Sequence, residues 1–359
     1  MIILIVIPLL ICLFGFVCKK ADKRLMFCAA SAAVVFAVCG ISFINGFPEP
    51  ESDSYSLLSL LSGSISFDSL GAIDAPPAYL LIMKICTAYS NEPLVFPIAA
   101  ACVQTVISAY ALYNCTDSPY EAGAVLTACF LPVYFAGSAL FTSALICLIS
   151  VKYVRERRFF RFAAAVLAAS CFDMSALLLI PLYFVIIIPK PLISAIFSAL
   201  AAGLAVIFPA VTETVYTMFG DGRYSIPGSS VLCTVISVIA ALISLLMYRM
   251  YRNREGRYET LVPVMICGAL LSAAALWKAE LSGIAFMLLM MSAVPLAPDA
   301  FSIGTRFVQI LFPSEKNTSA KVFAATCVAI LTGICTALVL GDTFGASAFD
   351  AVIAEVIGT

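Results

Sequence analysis

The apolar run "AASCFDMSALLLIPLYFVIIIPKP", residues 168–191, carries a single carboxylate, Asp173. An ionisable group at membrane depth costs about 2.5–3.5 kcal/mol on insertion scales, so it usually faces a partner or a wet cavity. Two readings stand side by side. "Asp-Met-Ser-Ala" opening an apolar run is an N-cap signature. The same carboxylate is also a candidate general base, because it sits where chemistry on a bilayer-bound molecule would need one.

A second set of groups follows the second apolar run. "PESDSYSLL" brings Glu51, Asp53 and Tyr55 together, where acids could accept protons from hydroxyls or position a metal, or could simply be a solvated acidic loop. The third set is cationic: Lys84, Arg223 in "FGDGRYSIPGS" and Lys278 in "LWKAELSG". Arginine holds phosphate through a bidentate fork. Lysines in such places can instead snorkel, lifting the ammonium to water along an apolar stem.

Composition narrows the chemistry. The 359 residues are 63% hydrophobic and 11% charged, more apolar surface than a water-soluble domain of this size can hide. There is no His, which removes the usual neutral-pH acid and base and leaves Asp, Glu, Lys, Tyr and Cys. The 14 Cys include no C-x-x-C pair and lie mostly in apolar runs, where they read as small hydrophobes. No metal site and no organic cofactor is called for. A net charge of −1 and a single Trp offer nucleic acid neither a basic surface nor a stacking platform.

The elements that must position these groups are transmembrane helices. Apolar segments fall near 2–18, 25–46, 93–113, 122–137, 138–154, 160–172, 174–188, 192–215, 231–248, 259–276, 281–297 and 320–340. The expected fold is an all-α polytopic membrane protein of roughly 12 crossings, some short, broken or re-entrant, around an outward-facing cavity. Residues 1–359 form one membrane domain, with no repeat or linker dividing them. The opening run, "MIILIVIPLLICLFGFVC", lacks a basic leader and a cleavage site and reads as a first helix with its N-terminus outside. Residues 77–90 are too short for a span and suit a re-entrant or interfacial helix. Residues 160–188 read as two short helices, because one helix that long would reach about 43 Å, well past the ~30 Å hydrocarbon core.

Charge asymmetry orients the array. Placing "KKADKR", "KYVRERRFFR", Lys190, "RMYRNREGR" and residues 298–321 inside accounts for all of the 20 Lys and Arg except Lys84, Arg223 and Lys278. The loop "FPEPESDSYSLLSLLSGSISFDSLGAIDAPP", with five acids and no base, then lies outside. So does Asp173, at the break between two short helices. "NCTDSPYEAG" falls inside although it carries no cation, and the N-x-S/T matches at Asn114 and Asn317 fall inside with it.

The order of these elements resembles a known family. "D-S-Y" after the second run, "P-P-A-Y-L-L-I-M-K", "N-E-P-L-V-F", "V-Y-F-A-G-S-A-L" leading into "K-Y-V-R-E-R-R-F-F-R-F", and "F-D-M-S-A-L-L-L-I-P-L-Y-F" are similar to the EpsG family, bacterial exopolysaccharide polymerases related to O-antigen polymerases. The resemblance covers residues 49–190 best; beyond them it rests on hydropathy and on Arg223 and Tyr224. The family pattern has an F-N-x-x-R-Q element ahead of the basic loop. Here Phe135 aligns with its F, but Ala136 and Ala139 take the places of the Asn and the Arg. Asp173 takes the place of a His, and Glu280, with Lys278 nearby, stands where the family carries a late Arg.

The resemblance implies a multi-pass protein of the bacterial plasma membrane that joins lipid-linked glycans at the outer face, working with other exopolysaccharide assembly proteins. It implies Asp53 or Asp173 as the base, and Arg223 with Tyr224, Lys278, Glu280, Tyr55 and Lys84 around a polyprenyl-pyrophosphate-linked glycan. The missing Asn, Arg and His leave open a non-catalytic membrane subunit or a lipid-linked glycan transporter.

Overall fold

The computed structural model describes residues 76–89, 95–116, 119–126, 139–188, 231–251, 257–276 and 281–311, with scattered positions between 193 and 200. Among the described residues the chain is helical throughout, with no strand. This fits the apolar surroundings expected from the composition, because an apolar solvent offers backbone N–H and C=O groups no partner and helices satisfy them internally. The helices are α1 (Pro77–Tyr89), α2 (Val95–Cys115), α3 (Pro119–Val125), α4 (Ala139–Arg155), α5 (Phe159–Ser170), α6 (Leu179–Ile186), α7 (Val231–Tyr251), α8 (Arg257–Ala274) and α9 (Ser282–Leu311). A 3₁₀ turn, Met174–Leu178, precedes α6.

Cross-links fix their directions. α2 and α4 run parallel: Gln104 Nε2 donates to Thr142 Oγ1 at 3.0 Å, and the Cys115 thiol reaches Ile149 O at 3.7 Å further along. α5 returns antiparallel to α4. α7 and α8 form a hairpin, tied by Thr234 Oγ1 to Ser272 O at 3.1 Å, and α9 runs antiparallel to α8, with Ser292 Oγ 3.5 Å from Met265 Sδ. Gly268 packs tightly on α9. A Cβ there would meet the backbone N and the Cγ of Leu289 at 3.1 Å, so a side chain would require Leu289 to shift by a few tenths of an ångström. The main core joins α4, α5, α6, α8 and α9 around buried Phe141, Leu145, Phe162, Leu179, Met287 and Met291.

The expected segments 93–113, 138–154, 231–248 and 259–276 reappear within a few residues. Those at 2–18, 25–46 and 320–340, with most of 122–137 and 192–215, lie outside the described residues. The long stretch 160–188 is broken as its length requires: α5 ends at Ser170 and helix resumes at Met174. α1 is a 13-residue helix, about 20 Å long and too short to span, whose Leu80, Met83 and Cys86 pack on Ala100 and Ala139. One boundary differs. The expected segment 281–297 continues as helix to Leu311, through Pro295 and Pro298. Each proline costs on the order of 3 kcal/mol in a helix interior, yet burial of Val294, Leu296, Ala297 and Phe301 keeps this stretch helical.

Within the described residues, Gly283–Gly304 of α9 is the one stretch both long and apolar enough to cross a membrane. Shorter apolar helices accompany it at Phe159–Ser170, Met174–Ile186, Ser237–Arg249 and Tyr258–Ala274.

Candidate functional site

The site is built on a sequence-local device. α5 ends, the chain turns at 171–173, and Asp173, in extended backbone at φ −151°, ψ 115°, caps the 3₁₀ turn that follows. Its Oδ1 accepts from the Ser175 backbone N–H at 2.8 Å and from the Ser175 hydroxyl. The expected N-cap is therefore present. Asp173 is nonetheless only 8% exposed. It lies in the turn that separates two apolar helices, outside both. Burial holds its carboxyl above the ordinary carboxylate range, while the two bonds from Ser175 act in the opposite direction.

Other elements converge on this turn. The backbone N–H of Ala78, in the first turn of α1, donates to Cys171 O at 3.0 Å. Ser143 and Cys147, one helical turn apart on α4, face each other, and Cys147 is close enough to Asp173 to feel its charge. Gly283, at the start of α9, lies against Ser175 and Leu140, so that an added Cβ would meet Ser175 Oγ at 3.7 Å and Leu140 Cδ1 at 3.6 Å. Buried Gln104 and Thr142 pair on the neighbouring face. One end of the bundle thus gathers a capped carboxyl, hydroxyls and a thiol in an otherwise apolar setting.

The opposite end is cationic. Lys152, Arg155, Arg157, Arg158 and Arg161 flank the α4–α5 turn, Arg249 and Arg257 flank the α7–α8 connection, and Arg306 lies in the last turns of α9. Among the described residues Lys84 is the only cation elsewhere. About 20 Å of α5 separates Arg158 from Asp173. Cys115, at the end of α2, lies within electrostatic reach of Lys152 and Arg155. The cation-free segment that begins there therefore shares the cationic end, as the charge-based layout requires.

Of the residues singled out from sequence, the structure describes Asp173 and Lys84. Lys84 is half-buried on α1, whose first turn is bonded to the Asp173 turn. Asp53, Tyr55, Arg223, Tyr224, Lys278 and Glu280 lie outside the described residues, as do Glu51 and Ala136. Leu276, just beyond the end of α8, Leu281, just before α9, and Val231, the first residue of α7, lie on the Asp173 side; in sequence they flank Lys278 and Glu280 and follow Arg223 by eight residues. Sequence reasoning missed Ser143, Cys147, Ser175 and Gln104. The signals were present for two of them: a serine two residues after a capping Asp, and a Gln inside the apolar "ACVQTVISAY".

Apolar stripes on the outside complete the picture: Val235, Val238, Ile239, Leu242 and Leu246 stand exposed along one face of α7, far more apolar surface than water tolerates on a single helix. Helices alone among the described residues, an apolar exterior on α7, cations at one end and a capped acid at the other define the class, an all-helical membrane-associated bundle. A sequence model of the EpsG family matches residues 53–344, most of the chain, and the chain belongs to the EpsG family. That membership makes it an exopolysaccharide polymerase-like membrane protein. No curated protein and no solved structure matches it.

Proposed function

We propose that this chain is an EpsG-like polymerase, a single multi-pass domain of roughly 12 crossings in the bacterial plasma membrane, that joins lipid-linked glycans at the outer face. The observation that carries the reading is Asp173: a desolvated carboxyl, fixed through one oxygen by Ser175, at the bundle end remote from the arginines. A carboxyl raised by burial is a better base than a solvated one. In the proposed step an acceptor sugar hydroxyl gives its proton to Asp173, or to Asp53, as its oxygen bonds to the donor's anomeric carbon. The anomeric C–O bond to pyrophosphate breaks, and Arg223, helped by Lys278, holds the departing pyrophosphate, with Tyr55, Tyr224, Glu280 and Lys84 around the glycan. No cofactor enters.

One observation favours a second reading, a non-catalytic subunit or a lipid-linked glycan transporter. Ala139, where the family pattern has an Arg, is buried among Leu80, Met83, Cys86 and Ala100, so that its surroundings are apolar too. The deciding experiment is polymer formation in membrane vesicles supplied with a lipid-linked repeat unit. Asp173→Asn and Arg223→Ala are expected to abolish polymer at unchanged protein level, Arg223→Lys to restore part of it, and Lys84→Gln to be mild. Wild-type polymer from both Asp173→Asn and Arg223→Ala would establish the second reading.

A further inference from the structure

The α4–α5 turn holds more than a membrane topology requires. Charge asymmetry needs cations but does not distinguish Arg from Lys. Here four of the five cations between 152 and 161 are arginine, and all are exposed. Glu156 is the one acid in that segment and lies 3.2 Å from Arg158, while among the described residues no carboxylate reaches ion-pair distance of Arg155, Arg157 or Arg161. Arg157 occupies a left-handed backbone position, φ 54°, where glycine is the relaxed choice. Beside these guanidiniums stands an aromatic step: Phe159 packs on Phe160, Tyr183 and Phe184 at centroid distances of 5.8, 5.2 and 5.4 Å. The outer rings, Phe160 and Phe184, are 87% and 60% exposed. Arg157 is also close enough to Tyr183 to act on its phenol, so the cations and the rings form one patch.

Forked donors next to uncovered rings match a molecule with a phosphodiester above an apolar body. We infer that this patch binds the headgroup of an anionic phospholipid of the cytoplasmic leaflet, with Arg155, Arg157 and Arg161 on the phosphate and Phe160 and Phe184 at the acyl boundary. The choice of leaflet rests on the orientation proposed above; the site itself does not. Binding measured in detergent is independent of which end faces the cytoplasm, so failure of the orientation and failure of the site are separate results.

The test uses the purified full chain in a neutral detergent, following its thermal unfolding midpoint as phosphatidylglycerol or phosphatidylcholine is added. Phosphatidylglycerol is expected to raise the midpoint and phosphatidylcholine is not. The concentration giving half the effect should rise about fivefold for each of Arg157 and Arg161 changed to Gln, with lysine at the same positions recovering only part. Phe160→Ala should weaken the response, and Arg249→Gln, which removes the same charge from another turn of the same end, should leave it unchanged. Equal responses to both lipids, an equal loss in Arg249→Gln, or the same effect from inorganic phosphate or an acidic peptide at matching concentration would overturn the inference.

Discussion

At the residue scale the proposal turns on Asp173, an observed cap and a proposed base, two roles that substitution can separate. Asn caps a helix about as well as Asp, whereas Ala does not. Asp173→Asn therefore keeps the bond from the Ser175 N–H and removes a desolvated charge, and its thermal stability in detergent should equal or exceed that of the wild type. Asp173→Ala should lose about 1 kcal/mol, and Ser175→Ala, which deletes one of the two bonds to Oδ1, somewhat less. The sign of the pH dependence follows from the direction of the shift. Burial raises the folded-state value, so the fold binds this proton more tightly than the unfolded chain does. The group's contribution to stability is present below its ordinary value near 3.8 and is lost as pH rises through the raised folded value. Unfolding midpoints measured across that range should flatten in Asp173→Asn, and an unchanged slope would count against the burial of a proton-binding carboxyl.

At the element scale two local geometries set stability. The end of α4 closes with Arg158 N donating to Tyr153 O at 2.9 Å and Arg157 N to Val154 O at 3.1 Å, the paired bonds of a Schellman motif, with Arg157 at its left-handed position. An L side chain there costs about 1–2 kcal/mol. Arg157→Gly is expected to raise the unfolding midpoint while weakening the lipid response about fivefold, a combination that a purely structural arginine would not give. The Gly268 contact has the reverse character. An added methyl must push the Leu289 backbone aside, so Gly268→Ala should destabilise by about 1–3 kcal/mol, whereas Ala at an exposed α7 position should be neutral. The break at 171–173 was legible in sequence because an uninterrupted helix would be too long and because "D-M-S" is a local capping signal. The extension of α9 was not legible, since "PLAPDA" reads as a stop unless the neighbours that bury its apolar face are known.

At the scale of the whole molecule, the two described ends of the bundle differ in charge, and the proposed orientation rests on this polarity. Since cations accumulate on the cytoplasmic side, the proposal puts the arginine end inside and the Asp173 end outside. Cys171 is exposed in the turn beside Asp173. With every other cysteine replaced by Ala, it should react with a membrane-impermeant maleimide added to intact cells. A chain carrying Glu156→Cys as its one thiol should react only after the membrane is opened. The opposite pattern would invert the molecule and remove the outward site with it.

By itself the sequence determined the helical class, the apolar segments, the break and cap at Asp173, the segregation of charge and the family, because each is written in residue type and in spacing within a few helical turns. Tertiary structure alone decided what meets at the site. Gln104 finds Thr142, 38 residues away, Cys147 comes beside Asp173, and Gly283 lies against Ser175. Such pairings depend on how side-chain surfaces of helices far apart in the chain interdigitate, a property of shape and packing that no periodicity records.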